Sequence, residues 1–264
     1  KKSDKAYITR LIGVPFEYAD KLADRGFTVV VDSKAIDPDK TRQIQEKIGA
    51  YERLSVKKES ADCEFGFAGD HPCENIDLLA HVPLSAFSVN PSAANDIWGF
   101  YDLNDNREYA IIGLRNGVGV VEVTDPTNPR VVGSVASQST AWRDLKVYQY
   151  FDHEDHRWKS YAYVTADSAS VGTMVVDLRE LPDSISAGIT SSNDISAHNV
   201  YLSNVDYATG VALTGMTPYL HIAGSNQQGG SFNSYGLDNP QQPDPVYLTA
   251  STSRSNYSHD VSSM

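Results

Sequence analysis

The sequence predicts a mainly β protein, a β-propeller of four-stranded blades preceded by a small α/β segment. Three observations support this prediction. From about residue 77 onward, short β-rich runs alternate with turns rich in Gly, Pro, Asn and Asp. The same order of four runs recurs along the chain. The openings of successive units can be aligned at spacings of 45, 55 and 61 residues, a period typical of propeller blades.

The sequence of residues 1–60 predicts a small α/β segment. Gly26–Val31 is rich in β-branched residues and suits a short buried strand. Asp37 followed by Pro38 is typical of a helix N-cap with proline at the first helical position, so a helix is expected from Pro38 to about Leu54. No catalytic group stands out in this segment, and a supporting role is expected for it.

Charge divides the chain at about the same place. Residues 1–60 contain 13 Lys/Arg against 10 Asp/Glu, whereas residues 61–264 contain 9 against 24. A long acidic segment repels phosphate backbones and anionic lipids, so we expect no nucleic acid partner and no membrane insertion. The sequence also lacks any run of about 18 apolar residues that would cross a bilayer.

Cys63 and Cys73 open the β-rich part of the chain, which extends over residues 61–264. The short separation, with two glycines between the cysteines, suits a small loop closed by a disulfide. A metal site that also uses His71, or two free thiols, are the alternatives. A disulfide would indicate an oxidising compartment, so an extracellular or cell-surface location is expected, with the periplasm as a second possibility.

The repeats are visible as runs of β-forming residues joined by turns. In the first unit the four runs are Asn95–Tyr101, Glu108–Leu114, Gly119–Thr124 and Arg130–Val135. The second and third units open at Trp142–Tyr148 and Ser196–Leu202, and a fourth starts at Tyr257–Val261. A β-sandwich also has many short strands, but the recurring order favours a propeller.

About three blades and the opening strand of a fourth are present in this prediction. Natural propellers close with roughly four to eight blades. The chain is therefore expected to be a fragment of a propeller, or to obtain its remaining blades from elsewhere.

Several motifs of residues 61–264 occur in the order found in one known family. They are Ala68–Leu79, Asn95–Gly99, Glu108–Leu114, Asp125–Pro129, Trp142–Asp144, Ser196–Asn199 and Ser258–Asp260. In these motifs the chain resembles the choice-of-anchor B proteins, bacterial surface or secreted proteins with LVIVD-type propeller repeats. The resemblance implies an exported, surface-associated propeller, and it implies no reaction. The chain departs from the pattern because it lacks later blades and a C-terminal anchor, and residues 1–60 lie outside it.

The aligned blade openings supply the candidate binding residues. The alignment places Trp98, Arg143, His198 and His259 at equivalent positions. The innermost strand of a blade lines the central channel, so polar residues at these openings would converge there. The predicted ligand-binding residues are Arg143, Asp144, His198, Asn199, His259 and Asp260. Of these, His198, His259 and Asp260 could also bind a divalent cation, calcium or zinc. The alternative is a hydrogen-bonded ring that satisfies buried strand ends.

Two loops carry further metal-ligand residue types. Asp102–Glu108 alternates oxygen ligands as a calcium loop does, but it lacks the glycine and the bidentate glutamate that such a loop needs. Asp152–His156 has five potential ligands in five positions. Because Asn and Asp are ordinary turn residues and all these groups can be solvated, an exposed turn is the favoured interpretation of both loops.

Two functions from different classes follow from these observations. The first is a secreted or cell-surface binding and structural module, part of an extracellular assembly, whose partners are other surface proteins, glycans or copies of itself. The second is a metal-dependent hydrolase or lyase that uses the channel His and Asp residues. Because the sequence has no nucleophile elbow, no zinc-protease motif and no phosphate-binding loop, the binding module is favoured and no enzyme activity is assigned.

Overall fold

A computed structural model of the chain describes residues 54–190, 194–225, 230–248 and 257–262. The chain divides into two compact units, Lys1–Val56 and Lys57–Met264, and the strands below belong to the second. The strand predicted at 26–31 and all but the end of the helix predicted from Pro38 lie outside the described residues. In the part of the chain that is described, no helix has the length and apolar character to cross a membrane.

A small three-stranded sheet opens the second unit. Its strands are β1 (Cys63–Glu64), β2 (Phe67–Ala68) and β3 (His71–Pro72), paired antiparallel in that order. Cys63 and Cys73 form a disulfide with their Cα atoms 5.9 Å apart, so the predicted pairing is confirmed. A short 3₁₀ helix at Leu84–Ala86 follows this sheet.

Three four-stranded antiparallel sheets contain most of the strand residues of the described chain, which confirms a mainly β fold with four-stranded units. The first sheet contains β4 (Ala94–Asp102), β5 (Arg107–Leu114), β6 (Gly117–Glu122) and β7 (Arg130–Ala136). The second contains β8 (Leu145–Asp152), β9 (Arg157–Val164), β10 (Met174–Asp177) and β11 (Ser186–Thr190). The third contains β12 (Asn199–Ser203), β13 (Tyr219–Ser225), β14 (Ser231–Gly236) and β15 (Asp244–Leu248).

Consecutive sheets pack face to face around two hydrophobic cores. Phe100, Ile111 and Val120 of the first sheet share one core with Val147 and Val176 of the second. The opposite face of the second sheet forms the other core with the third sheet. Because a strand turns successive side chains to opposite faces, a sheet buried on both faces needs apolar residues at consecutive positions.

The sequence of the second sheet has this property. Val147 and Tyr148 face different cores, and so do Val175 and Val176. In the first sheet, the face of β5 and β6 that does not meet the second sheet packs against the segment around Phe87.

The first strands of neighbouring sheets lie close together, and β8 contacts both β4 and β12. Gln149 of β8 is fully buried and joins the turns on either side. Its side chain accepts a hydrogen bond from the Leu103 N–H at 3.0 Å and donates to the carbonyls of Tyr101 and Thr209 at 3.1 and 2.8 Å. Its own N–H donates to the Gly210 carbonyl at 3.0 Å. The second sheet therefore lies between the other two.

The predicted register of the blade openings was wrong for the first sheet. Trp98 is the fifth residue of β4, whereas Arg143 lies two residues before β8 and His198 lies one residue before β12. Strand β4 pairs irregularly with β5 between Ala94 and Ile97. The irregularity adds one residue to β4 relative to β5, and the alignment of the openings did not allow for it.

Candidate functional site

Asp144 is buried and connects the second sheet to the third. One carboxylate oxygen accepts hydrogen bonds from the Leu145 N–H and the Lys146 ammonium, both at 2.7 Å. The other accepts from the Val200 N–H at 2.8 Å. Burial raises the pKa of Asp144 to about 6, and a hydrogen bond with Asp96 adds to the rise, whereas Lys146 and the Val200 N–H lower it.

Arg143 is fully buried and is held by main-chain carbonyls. Its Nε donates to the Leu114 carbonyl at 2.9 Å and one terminal nitrogen donates to the Gln138 carbonyl. The other terminal nitrogen has no hydrogen-bond partner among the described residues. Burial lowers the pKa of Arg143 to about 10. Arg143 and Asp144 thus serve the packing of strand ends, which is the hydrogen-bonded alternative stated above.

His198 lies at the start of β12 and is surrounded by other rings. It stacks on Trp142, with centroids 5.2 Å apart and planes inclined by 12°. Its Nδ1 is 2.9 Å from an Asp167 carboxylate oxygen. The ring of His259 lies 4.2 Å from the His198 ring, centroid to centroid, and that of Tyr257 lies 6.3 Å away.

These side chains form one group at the end of the first strands, which we name the His198 cluster. Its members are Trp142, Asp167, His198, Tyr257, His259 and Asp260. Asp260 joins it through a 2.6 Å contact between its carboxylate and Nδ1 of His259. Burial raises the pKa of the Tyr257 hydroxyl, and the carboxylates of Asp167 and Asp260 add to this rise.

The backbone brings the members of the His198 cluster together. The Trp142 indole N–H donates to the His198 carbonyl at 3.0 Å. Gly224 has a φ of +65°, and a Cβ there would lie 2.7 Å from the His198 Cβ and 2.8 Å from the Tyr257 hydroxyl. Only glycine fits this close approach and this conformation, so Gly224 permits the contact between β12 and the segment that carries Tyr257.

An open cleft of about 540 Å³ adjoins the cluster. Asp167 and Tyr257 belong to both the cleft and the cluster. The remainder of the lining consists of small or polar residues, Ser168, Ala169, Ser196, Gly224, Ser225 and Gly230. Tyr257 and Trp142 keep 54% and 38% of their surface exposed. The cleft therefore offers the Tyr257 ring and the Asp167 carboxylate to a molecule from solvent, and the other members of the His198 cluster adjoin these two residues.

The structure brings together three of the six predicted ligand-binding residues, His198, His259 and Asp260. Arg143 and Asp144 are instead committed to buried main-chain contacts, and half-buried Asn199 pairs with Ala223 in the sheet. The prediction missed Trp142, Asp167 and Tyr257 as site residues. Trp142 and Tyr257 are the first residues of runs predicted to open units, which was a usable signal. Asp167 follows the second strand of its sheet, and nothing local marks it.

His198, His259 and Asp260 were also predicted to bind a divalent cation. Within the described ranges, no group of three or more His, Cys, Asp or Glu side chains could hold a metal ion. The binding of calcium or zinc stays a prediction.

The two acidic loops are turns held by their own hydrogen bonds. Asp102 accepts from the Asn104 N–H at 2.7 Å, and the Asn104 side chain pairs with the main chain of Trp158 on the neighbouring sheet. In the second loop, Asp152 and Asp155 both contact the Lys159 ammonium. These contacts use oxygens of Asp102, Asn104, Asp152 and Asp155 within the fold, which agrees with the interpretation of both loops as turns.

No family model, no curated protein and no solved structure matches this chain. The His198 cluster combines aromatic faces with hydrogen-bond donors and acceptors beside an open cleft, which is the composition of a site for a polar ligand.

Proposed function

We propose that this chain is part of a secreted or cell-surface β-propeller and acts as a binding module whose ligand occupies the cleft beside the His198 cluster. The order of the sheets supports the architecture: three four-stranded antiparallel sheets pack face to face in chain order, with their first strands close together. The resemblance to choice-of-anchor B proteins in the opening motifs points in the same direction.

The observation that carries the binding function is the exposure of the rings in the His198 cluster. Exposed aromatic rings beside hydrogen-bonding groups can pack against a ligand and hydrogen-bond to it at the same time. Here Trp142 and Tyr257 are held beside the cleft by His198 and Gly224 rather than covered by them.

A neutral glycan is the ligand class that these groups favour. Aromatic faces pack against the apolar faces of sugar rings, and carboxylates, imidazoles and hydroxyls hydrogen-bond to sugar hydroxyls. The carboxylates of Asp167 and Asp260 repel anionic ligands, as does the formal net charge of -12. The disulfide supports an oxidising compartment, where glycans are abundant partners.

The metal-dependent hydrolase or lyase has no such support. Such chemistry needs at least three protein ligands around the ion in most hydrolytic sites. The described part of the chain holds no group of that kind, so we propose the binding function alone.

A glycan array probed with the purified chain tests the proposal. We expect binding to neutral oligosaccharides that falls about tenfold or more in Tyr257→Ala, because removal of one well-placed aromatic side chain costs about 1.4 kcal/mol or more. Tyr247→Ala is the matched control, since Tyr247 is exposed to the same 54% on β15 and lies outside the cleft.

Three results would count against the glycan. Equal loss in both variants would indicate a general effect of surface tyrosines. Capture of a surface protein, or concentration-dependent self-association, that Tyr257→Ala abolishes would assign the cleft to a protein partner instead. Absence of any binding sensitive to Tyr257 would overturn the site.

A further inference from the structure

A second cavity, of about 150 Å³, lies between the second and third sheets. Val175, Leu220 and Ile222 form its apolar wall, together with Tyr163 and Tyr235. An apolar cavity of that volume is known to hold a benzene ring. The cavity therefore has the size for one small ring or a branched alkyl group.

Asp194 is a buried carboxylate in the wall of this cavity, 1% exposed. One of its oxygens accepts from the Asn233 amide at 2.7 Å and the other accepts from the Tyr235 hydroxyl. Both donors are neutral, and none of the ion pairs among the described residues includes Asp194. A carboxylate has about four acceptor positions, so Asp194 retains capacity for a further donor, and a cationic one would compensate its charge.

Thr173 places a second polar group with unused hydrogen-bonding capacity in the same cavity. Its hydroxyl is 3% exposed, and its oxygen has no hydrogen-bond partner among the described residues. Buried hydroxyls are nearly always hydrogen-bonded in native structures. An unpaired hydroxyl that lines a cavity is therefore expected to bond to whatever fills the cavity.

The charged residues of the cavity lining are acidic and favour a cationic ligand. Asp194 and Asp244 are its charged members, and it contains no Lys, Arg or His. Tyr163 donates its hydroxyl to the Pro240 carbonyl at 2.8 Å, which leaves its ring as the face toward a ligand. Aromatic faces attract cations, and an ammonium N–H to a buried carboxylate is a strong hydrogen bond.

We propose that the cavity binds a small organic ammonium ion, with the ammonium group donating to Asp194 and the Thr173 hydroxyl and the apolar body packed against Val175 and Ile222. A ring of six carbon atoms with one aminomethyl group fits both the volume and the polarity. This site is separate from the cleft of the His198 cluster, since the two share no lining residue.

Isothermal titration of the purified chain at neutral pH with benzylammonium, benzyl alcohol and benzoate tests the proposal. The three probes share one ring and differ in charge. We expect benzylammonium to bind about tenfold or more tightly than benzyl alcohol, the ratio that corresponds to a charge-assisted hydrogen bond, and benzoate not to bind. Equal affinity for all three, or no binding of benzylammonium, would overturn the proposal.

Two variants separate the role of each polar group. Asp194→Asn should abolish the preference for benzylammonium over benzyl alcohol, while Asp183→Asn, which removes the same charge from an exposed turn outside the cavity, should leave it unchanged. Should Asp194→Asn fail to fold, Thr173→Val keeps the volume and is expected to weaken benzylammonium about threefold to tenfold. An unchanged affinity of Thr173→Val for benzylammonium would show that the Thr173 hydroxyl does not contact the ligand. A preference for benzylammonium that survives in folded Asp194→Asn would refute the proposal that Asp194 binds the ammonium group.

Discussion

Asp144 is buried and bonds to the main chain of two sheets. As a carboxylate it accepts two backbone N–H groups and the Lys146 ammonium. Burial and the hydrogen-bond donors have opposite effects on the pKa of Asp144. Burial disfavours the charged form and raises the pKa, whereas the donors favour the charged form and lower it. Burial is the larger of the two, and the pKa of Asp144 rises to about 6.

The direction of this shift predicts how Asp144 affects stability with pH. Its pKa in the folded chain lies above the ordinary value for an aspartate, so the folded chain binds the proton more tightly than the unfolded chain does. The stability that Asp144 contributes is therefore fully present below about pH 4 and is lost as the pH rises through about 6. We expect the unfolding free energy of the wild type minus that of Asp144→Asn to be more positive at pH 4.5 than at pH 7.5.

Urea denaturation of both proteins at the two pH values measures this difference. Comparison with the variant cancels the pH dependence of carboxylates that do not contact Asp144, such as Asp152, whose pKa is lowered to about 2 by Lys159. A difference that grows from pH 4.5 to pH 7.5 would show that the donors outweigh burial.

Among the elements, the small sheet β1–β3 depends least on packing. Each of its strands has two residues, and no residue of 63–73 belongs to a hydrophobic core. Ala68 is its buried apolar residue, and Phe65 is fully exposed. A structure with so little buried apolar area relies on the crosslink between Cys63 and Cys73.

We therefore expect the paired substitution Cys63→Ala and Cys73→Ala to unfold the small sheet locally. Hydrogen exchange should become about tenfold faster or more at residues 63–73, because loss of a short-loop disulfide costs about 2 kcal/mol or more of local stability. Exchange at β5 and β6 should keep the wild-type rate, since both strands lie in a core. Loss of protection throughout the first sheet would contradict this independence.

At the scale of the whole described unit, the second sheet couples the first to the third. It contributes Val147 and Val176 to one core and Tyr163 and Val175 to the other. The first sheet packs its other face against the segment around Phe87, so among the described sheets the second is the one that shares a core with a sheet on each face. Loss of packing in one core should therefore weaken the sheet that supports the other.

A pair of core variants tests this coupling. Ile111 and Ile222 are both fully buried, one in each core. We expect Ile111→Ala and Ile222→Ala each to lower the unfolding free energy by about 2 to 5 kcal/mol and to unfold all three sheets in one transition. Hydrogen exchange that shows the third sheet unchanged when Ile111 is truncated would indicate independent sheets.

The strands of this protein were largely predictable, and the site was predictable in part. Runs such as Glu108–Leu114 have the β-forming residues that a strand needs, and the turn residues between runs mark its ends. The opening motifs led to His198, His259 and Asp260, which do lie together. The same motifs also selected Arg143 and Asp144, whose side chains are used inside the fold.

Local sequence by itself determined the four-strand repeat, the short disulfide loop and the acidic character of the second unit. Those properties depend on residues that are neighbours along the chain, where backbone preferences and side-chain alternation act. Only the tertiary structure decided that Asp167 and Tyr257 meet His198, that Trp98 is out of register and that Asp194 and Thr173 line one cavity. Such contacts join residues far apart in sequence, and they are set by a strand irregularity and by the packing of whole sheets, which no local pattern records.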